Sequence, residues 1–266
     1  MRITFLANRD LASNLALNIL LPRLASHDLS LLLSSRVGSA APRPAALGEL
    51  ALFEQELLEQ ILPSLNTGSG GHDSRFRTFP QMDHWLSTPG QELNTINSPE
   101  GLALLQSLEP DLMVSIRYGV ILREPAIAVP RLGVLNLHSG LLPDYRGVMA
   151  SFWALLRDEP VIGTTLHRIT DSGIDQGDII ATTSLAVDPG KSYLWHVLGL
   201  YPEGCERILS AIDRLASGQV LPGRPQPAGG NYFGFPTEAE LKAFARKGLT
   251  LLDKAEVLDF LRRQYC

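Results

Sequence analysis

Residues 133–180 read GVLNLHSGLLPDYRGVMASFWALLRDEPVIGTTLHRITDSGIDQGDII. The apolar run 133–137 has the character of a buried strand. Asn136 and His138 are two residues apart, so on a strand both side chains point to one face. They fall where the strand gives way to Ser139 and Gly140. A polar pair at such a place is costly in a core unless it is partnered, and a hydrogen-bonded histidine beside a strand end is the alternative to a functional one. Residues 140–147 (GLLPDYRG) form a turn-rich loop that must pass beside His138. Residues 150–156 have helical spacing, 164–169 read as a strand, and Asp171, Asp175 and Asp178 place three carboxylates in a second tight loop before a further strand over 178–186.

Working outward, the spacing predicts a strand over 3–7 followed by a helix carrying Leu11, Leu15 and Ile19, which ends or kinks near Pro22. A second strand over 29–33 closes a β-α-β unit. Helical periodicity returns over 47–65, with Leu50, Phe53, Leu57, Leu58, Ile61 and Leu62 on one stripe. The glycine-rich stretch 67–73 breaks all periodicity and reads as a mobile loop; a phosphate cradle would need those glycines between a strand and a helix start. Asn97 or Ser98 before Pro99 is a helix start, the helix ends at Pro110, and residues 111–116 (DLMVSI) form another buried strand. Alternating strands and helices imply a parallel α/β sheet, in which ligands bind beyond the carboxyl ends of the strands. Residues 192–216 are helical with an interruption at Pro202. In the tail, Thr237 and Glu240 form a capping box on a helix ended by Gly248, and Asp253 caps a stripe of Val257, Leu261 and Tyr265.

The 266 residues carry 23 Lys+Arg against 28 Asp+Glu, a net charge of −5, so no long-range basic field favours DNA or tRNA. At 45% hydrophobic and 19% charged residues the chain falls in the globular class. Its two cysteines, Cys205 and Cys266, show no metal-ligand spacing and read as free thiols of a reducing cytoplasm. Apolar runs such as 15–21 are too short to span a bilayer and lack the features of a cleaved leader, so neither membrane insertion nor secretion is expected.

The order N-x-H, a small residue with LLP, Y-R-G, a helix, a strand opening G-T-T-L-H and a D-x-G-x-D-x-G-D loop resembles the 10-formyltetrahydrofolate-dependent formyltransferases. That family includes methionyl-tRNA formyltransferase, glycinamide ribonucleotide transformylase and the sugar N-formyltransferases. The resemblance is motif-specific over 111–180 and implies a Rossmann-type, mostly parallel sheet flanked by helices: a catalytic domain over 1–218 with a short helical C-terminal extension over 219–266. It implies that Asn136 hydrogen-bonds the formyl oxygen, that His138 acts as general acid and electrostatic partner of the tetrahedral intermediate, and that Asp175 orients the histidine. The loop appears one residue longer than in close relatives, so Asp171 competes with Asp175 for that role. The folate pocket is implied to use Arg117, Tyr118, Gly119, Ile121, Leu122, Gly140, Leu141, Leu142, Pro143 and Asp171. The implied co-substrate is 10-formyltetrahydrofolate, and no metal is required. The residue types suit the chemistry, because attack of an amine on a formamide-like carbon builds negative charge on oxygen, and amide and imidazolium donors can be aimed at it.

For the acceptor, Ser13-Asn14-Leu15 follows the first strand, where the glycinamide ribonucleotide enzymes carry a glycine-rich phosphate loop. The glycines are missing here, which weakens a phosphate site; Arg9 is either an acceptor contact or a solvated arginine. The methionyl-tRNA enzymes carry a basic C-terminal barrel, whereas the residues after Gly218 look helical in an acidic chain, so tRNA is disfavoured. A small-molecule amine is expected, either an amino-sugar nucleotide or an amino-acid-like amine. A folate deformylase would use the same residues with water as nucleophile, but relatives with that activity carry a further N-terminal domain; a non-catalytic folate binder has no use for the triad. His84 and Trp85 are either part of an acceptor lid or packing residues. A homodimer is left open.

Overall fold

The computed structural model describes residues 1–35, 44–56 and 76–265. The helical stripe expected through Leu57, Leu58, Ile61 and Leu62, the glycine-rich loop 67–73 and Cys266 lie outside the described residues.

In chain order the elements are β1 (Arg2–Asn8), α1 (Leu11–Leu20), β2 (Asp28–Ser34), α2 (Ala45–Ala51), β3 (Gln91–Glu92), α3 (Pro99–Ser107), β4 (Leu112–Ile116), α4 (Glu124–Ile127), β5 (Val134–His138), β6 (Arg146–Gly147), α5 (Ala150–Leu156), β7 (Val161–Ile162), β8 (Thr165–Ile169), β9 (Ile179–Thr182), β10 (Leu185–Ala186), α6 (Tyr193–Ala216), β11 (Tyr232–Phe233), α7 (Glu238–Arg246) and α8 (Lys254–Tyr265). Seven strands form the main sheet in the order β3-β2-β1-β4-β5-β8-β9. The first five run parallel, while β8 pairs antiparallel with both β5 and β9. The expected mostly parallel, helix-flanked α/β sheet is therefore observed, with an antiparallel edge.

Strand alternation sorts the side chains onto two apolar layers. Phe5, Leu31, Val114, Leu135 and Leu137 enter the larger core, which α1, α6, α7 and α8 also fill. Leu6, Leu32, Met113 and Val134 enter a smaller one under α3 and α4. Asn136 and His138 have the parity of Val134, so they lie on the face of the smaller layer. The register sets His167 opposite Asn136 and Thr165 opposite His138.

The helix boundaries follow capping chemistry. Asp10 accepts the Ser13 amide at the start of α1, and Ser98, rather than Asn97, caps α3. Asn97 instead braces the loop after β4, donating to the Ile121 carbonyl and accepting the Arg123 amide. The kink near Pro22 is a 3₁₀ turn over Leu21–Leu24. The expected capping box of α7 and the buried stripe Val257, Leu261 and Tyr265 of α8 are both present.

Two expectations fail. Residues 178–186 are not one strand: β9 belongs to the main sheet, whereas β10 pairs with β7, and Thr183 between them bonds Thr164 through both backbone and hydroxyl. Nor does Pro202 interrupt the helix, since α6 runs unbroken from Tyr193 to Ala216. Tyr201, Cys205 and Ile208 around the proline are buried in the core, and that packing outweighs the missing backbone donor.

Candidate active site

The carboxyl ends of β1, β4 and β5 open into a cavity of about 280 Å³ whose wall includes Asn8, Ser115, Arg117, Asn136, His138, His167 and Asp175. This is where a parallel sheet places its ligands. Strand pairing and one loop bring four polar side chains together. Asp175 Oδ1 lies 3.3 Å from His167 Nε2 and 3.4 Å from Asn136 Nδ2. Its Oδ2 accepts the Gly147 amide at 2.9 Å and faces His138 Nδ1 at 3.5 Å. Asp171, the competing carboxylate, is exposed and accepts the Gly173 amide within its own turn. Asp175 is thus the carboxylate that faces both histidines.

His138 is 7% exposed, and its Nε2 lies 2.6 Å from the Tyr145 carbonyl. Because a carbonyl only accepts, Nε2 carries a proton. The ring therefore presents one nitrogen to a carbonyl and the other to a carboxylate, an arrangement that accommodates the doubly protonated form. His167 bonds the Arg168 carbonyl through Nδ1 at 2.9 Å, which fixes a proton there. Its Nε2, 3.0 Å from Asn136 Nδ2, accepts from the amide when the ring is neutral and donates to Asp175 when the ring is cationic.

Burial pushes the Asp175 carboxyl up, but the His138 charge, the His167 hydrogen bond and charge and the Gly147 amide outweigh it and hold the pKa at about 2, against an ordinary value of 3.8. The folded-state value is depressed, so the stabilisation is complete above the unfolded pKa and is lost as pH falls through the folded one. The shift corresponds to about 2 kcal/mol. Chemical denaturation of wild type and Asp175→Asn should show the wild-type advantage at pH 6 shrinking from about pH 4 downward. A gap independent of pH would mean that the carboxylate charge contributes nothing.

Arg117 lines the cavity, but its guanidinium is engaged: Nε donates to the fully buried Asp10 at 2.8 Å and an Nη to Glu54 at 3.1 Å. Arg117, Met149 and Asp175 all have left-handed backbones (φ 56°, 56° and 54°) and all line the cavity, a concentration of strain typical of functional sites.

Of the pocket residues expected from the sequence, Arg117, Tyr118, Gly119, Ile121, Leu122 and Asp171 are on the cavity wall. Gly140, Leu141, Leu142 and Pro143 are not. Gly140 packs so closely on His138 and Ala150 that a Cβ would fall 2.7 Å from His138 Nε2, and the Leu142 amide is tied to Thr165 at 3.1 Å. This segment backs the histidine instead of facing the cavity. His84 is exposed and Trp85 packs under Arg77, whose guanidinium carbon is 5.1 Å from the ring centroid; neither lines the cavity. The residue missed is His167, because its position opposite Asn136 follows from an antiparallel register that periodicity alone does not disclose. The quoted G-T-T-L-H stretch contained the signal.

Among the described residues, no group of three or more His, Cys, Asp or Glu is arranged to hold a metal, and no helix is long and apolar enough to cross a membrane.

The fold is of formyltransferase type. It is shared with a sugar N-formyltransferase from a Shewanella species (15% identity, TM-score 0.58, covering 92% of this chain and 80% of that one). It is shared also with an N-formyltransferase from Helicobacter canadensis in complex with folinic acid and dTDP-3-aminofucose (15%, 0.55, 88% and 70%). Residues 78–194 match the formyl transferase family model, so the sequence resemblance holds across the stretch that contains Asn136, His138, His167 and Asp175. Methionyl-tRNA formyltransferase from Acidothermus cellulolyticus is 36% identical over 132 residues, which are 50% of this chain and 40% of that protein. The chain spans about two fifths of the length of the curated relatives it matches.

Proposed function

We propose that this protein transfers the formyl group of 10-formyltetrahydrofolate to a primary amine of a small molecule in the cytoplasm, and that an amino-sugar nucleotide is the preferred acceptor class. The observation that carries the proposal is the convergence of Asn136, His138 and Asp175 on one cavity at the carboxyl ends of the parallel strands, within the family-matched stretch.

The donor is assigned to the wall formed by Tyr118, Gly119, Ile121 and Leu122, residues of the loop after β4 that border the cavity. The acceptor amine attacks the formyl carbon, the bond from that carbon to the folate nitrogen breaks, and the proton lost by the amine is balanced by one gained by the folate nitrogen. The Asn136 amide and the His138 ring supply donors for the oxygen on which charge develops. For His138 this means sharing or releasing the Tyr145 carbonyl as substrate enters, a tightening on binding that such sites commonly show. A carboxyl held at about 2 is a poor proton acceptor at neutral pH, so Asp175 acts by charge and orientation, and protons move through His138 or water.

The first turn of α1, where the phosphate of glycinamide ribonucleotide would be expected, is already capped by the Asp10 carboxylate, which argues against that acceptor. A sugar acceptor has support of its own. A structural neighbour of the same fold was solved with a dTDP-linked amino sugar. A tRNA acceptor is the second reading, motivated by the methionyl-tRNA relatives, and the net charge of −5 opposes it.

The test is product analysis with 10-formyltetrahydrofolate and dTDP-3-aminofucose, other amino-sugar nucleotides, amino acids, glycinamide ribonucleotide, methionyl-tRNA, or no amine. Tetrahydrofolate should form only with an accepted amine, in step with its N-formyl product, and an amino-sugar nucleotide should turn over fastest. Equal release without amine would indicate a deformylase, and tight binding without turnover a folate binder.

A further inference from the structure

We infer that Gln226, in the chain between α6 and β11, is a positioning residue that holds Asp175 in its working geometry. The inference rests on the formyl-transfer reading of the site for its consequence in activity, but the contacts stand by themselves. The Gln226 side-chain Nε2 donates to the Asp175 carbonyl at 2.9 Å and to the Gly177 carbonyl at 2.8 Å. Gln226 does not line the cavity, so it touches the loop and not a ligand.

The rest of this strap pairs with the segments that border the loop. Arg224 exchanges two backbone hydrogen bonds of 2.8 Å with Ile179, just beyond the loop. Further along, β11 pairs with β6, with the Arg146 amide on the Asn231 carbonyl at 3.0 Å and the Val148 amide on the Phe233 carbonyl at 2.8 Å. Between those two bonds lies Gly147, whose amide donates to the Asp175 carboxylate. Asp175 is therefore held at its carbonyl by one end of the strap and at its carboxylate by the strand the other end pairs with.

The loop needs such restraint. Asp175 has a left-handed backbone, sparsely populated by residues with a Cβ and retained only where the surroundings over-determine it. Gly177 lies directly against the Arg168 carbonyl with no room for a side chain. A small rotation of this turn would move the carboxylate away from His138 and His167 while leaving the cavity wall in place.

Gln226→Ala and Gln226→Glu test the inference. The glutamate keeps length and volume but turns carboxylate oxygens toward two carbonyls, so it also serves should the alanine variant not fold. Both should bind 5-formyltetrahydrofolate within about threefold of wild type and lose about tenfold or more in kcat with little change in KM. Independently of turnover, ¹³C NMR of the Asp175 carboxyl between pH 3 and 6 should show a titration in the variants that the wild type lacks. Wild-type kcat together with an unchanged carboxyl response in either variant would overturn the inference. A wild-type protein inactive with every amine would count against the formyl-transfer reading, and the NMR comparison would still decide whether Gln226 positions Asp175.

Discussion

His138→Ala is expected to lower kcat for formyl transfer by about a thousandfold or more while leaving the affinity for 5-formyltetrahydrofolate within about tenfold. The ring stands at the end of β5 with one nitrogen on the Tyr145 carbonyl and the other facing the Asp175 carboxylate, and Gly140 packs against it so that it has little freedom to turn. On the proposed mechanism the ring's hydrogen bond matters chiefly when the formyl oxygen becomes anionic, so its loss should appear in kcat and much less in ground-state binding. His138→Gln restores a donor toward Tyr145 but no imidazole beside Asp175, and it should keep the folate affinity without recovering rate. Near-wild-type turnover by His138→Ala would remove the histidine from the mechanism.

Asp10→Ala should destabilise the protein by about 3 to 5 kcal/mol, a fall in Tm of roughly 10 °C for a domain of this size. Asp10 is fully buried and does three things: it caps α1 through the Ser13 amide, accepts from Asn8, and pairs with Arg117. Its loss uncaps the helix and removes the buried carboxylate partner of the Arg117 guanidinium on the cavity wall, while the Glu54 contact remains. The double variant Asp10→Ala/Arg117→Met should recover part of the loss, because the unpaired buried charge is gone. Additive destabilisation would show that the ion pair carries little and that the cap and the Asn8 contact account for the effect.

Much of this was legible in the sequence for physical reasons that can be located. Strands such as Leu112–Ile116 and Val134–His138 are short apolar runs between turn residues, and the Asn136/His138 spacing survives folding because strand parity is local. Asp175 over Asp171 needed the fold, since both sit in one turn and only the Gly147 amide and the two histidines separate them. His167 needed the β5–β8 register, a long-range property. The strap contacts of Gln226 and Tyr232–Phe233 were invisible because an irregular segment has no periodicity and its partners are set by long-range packing. Pro202 misled because local propensity was weighed without the burial of its neighbours.

The most direct test of the central claim, that Asn136, His138 and Asp175 form a formyl-transfer centre, is a crystal structure with 5-formyltetrahydrofolate bound. The expected result places the pterin against Tyr118 to Leu122 and the formyl-bearing end of the ligand beside Asn136 and His138, with Asp175 still facing both histidines. A ligand bound elsewhere, or one whose formyl group points to solvent away from Asn136, would contradict it.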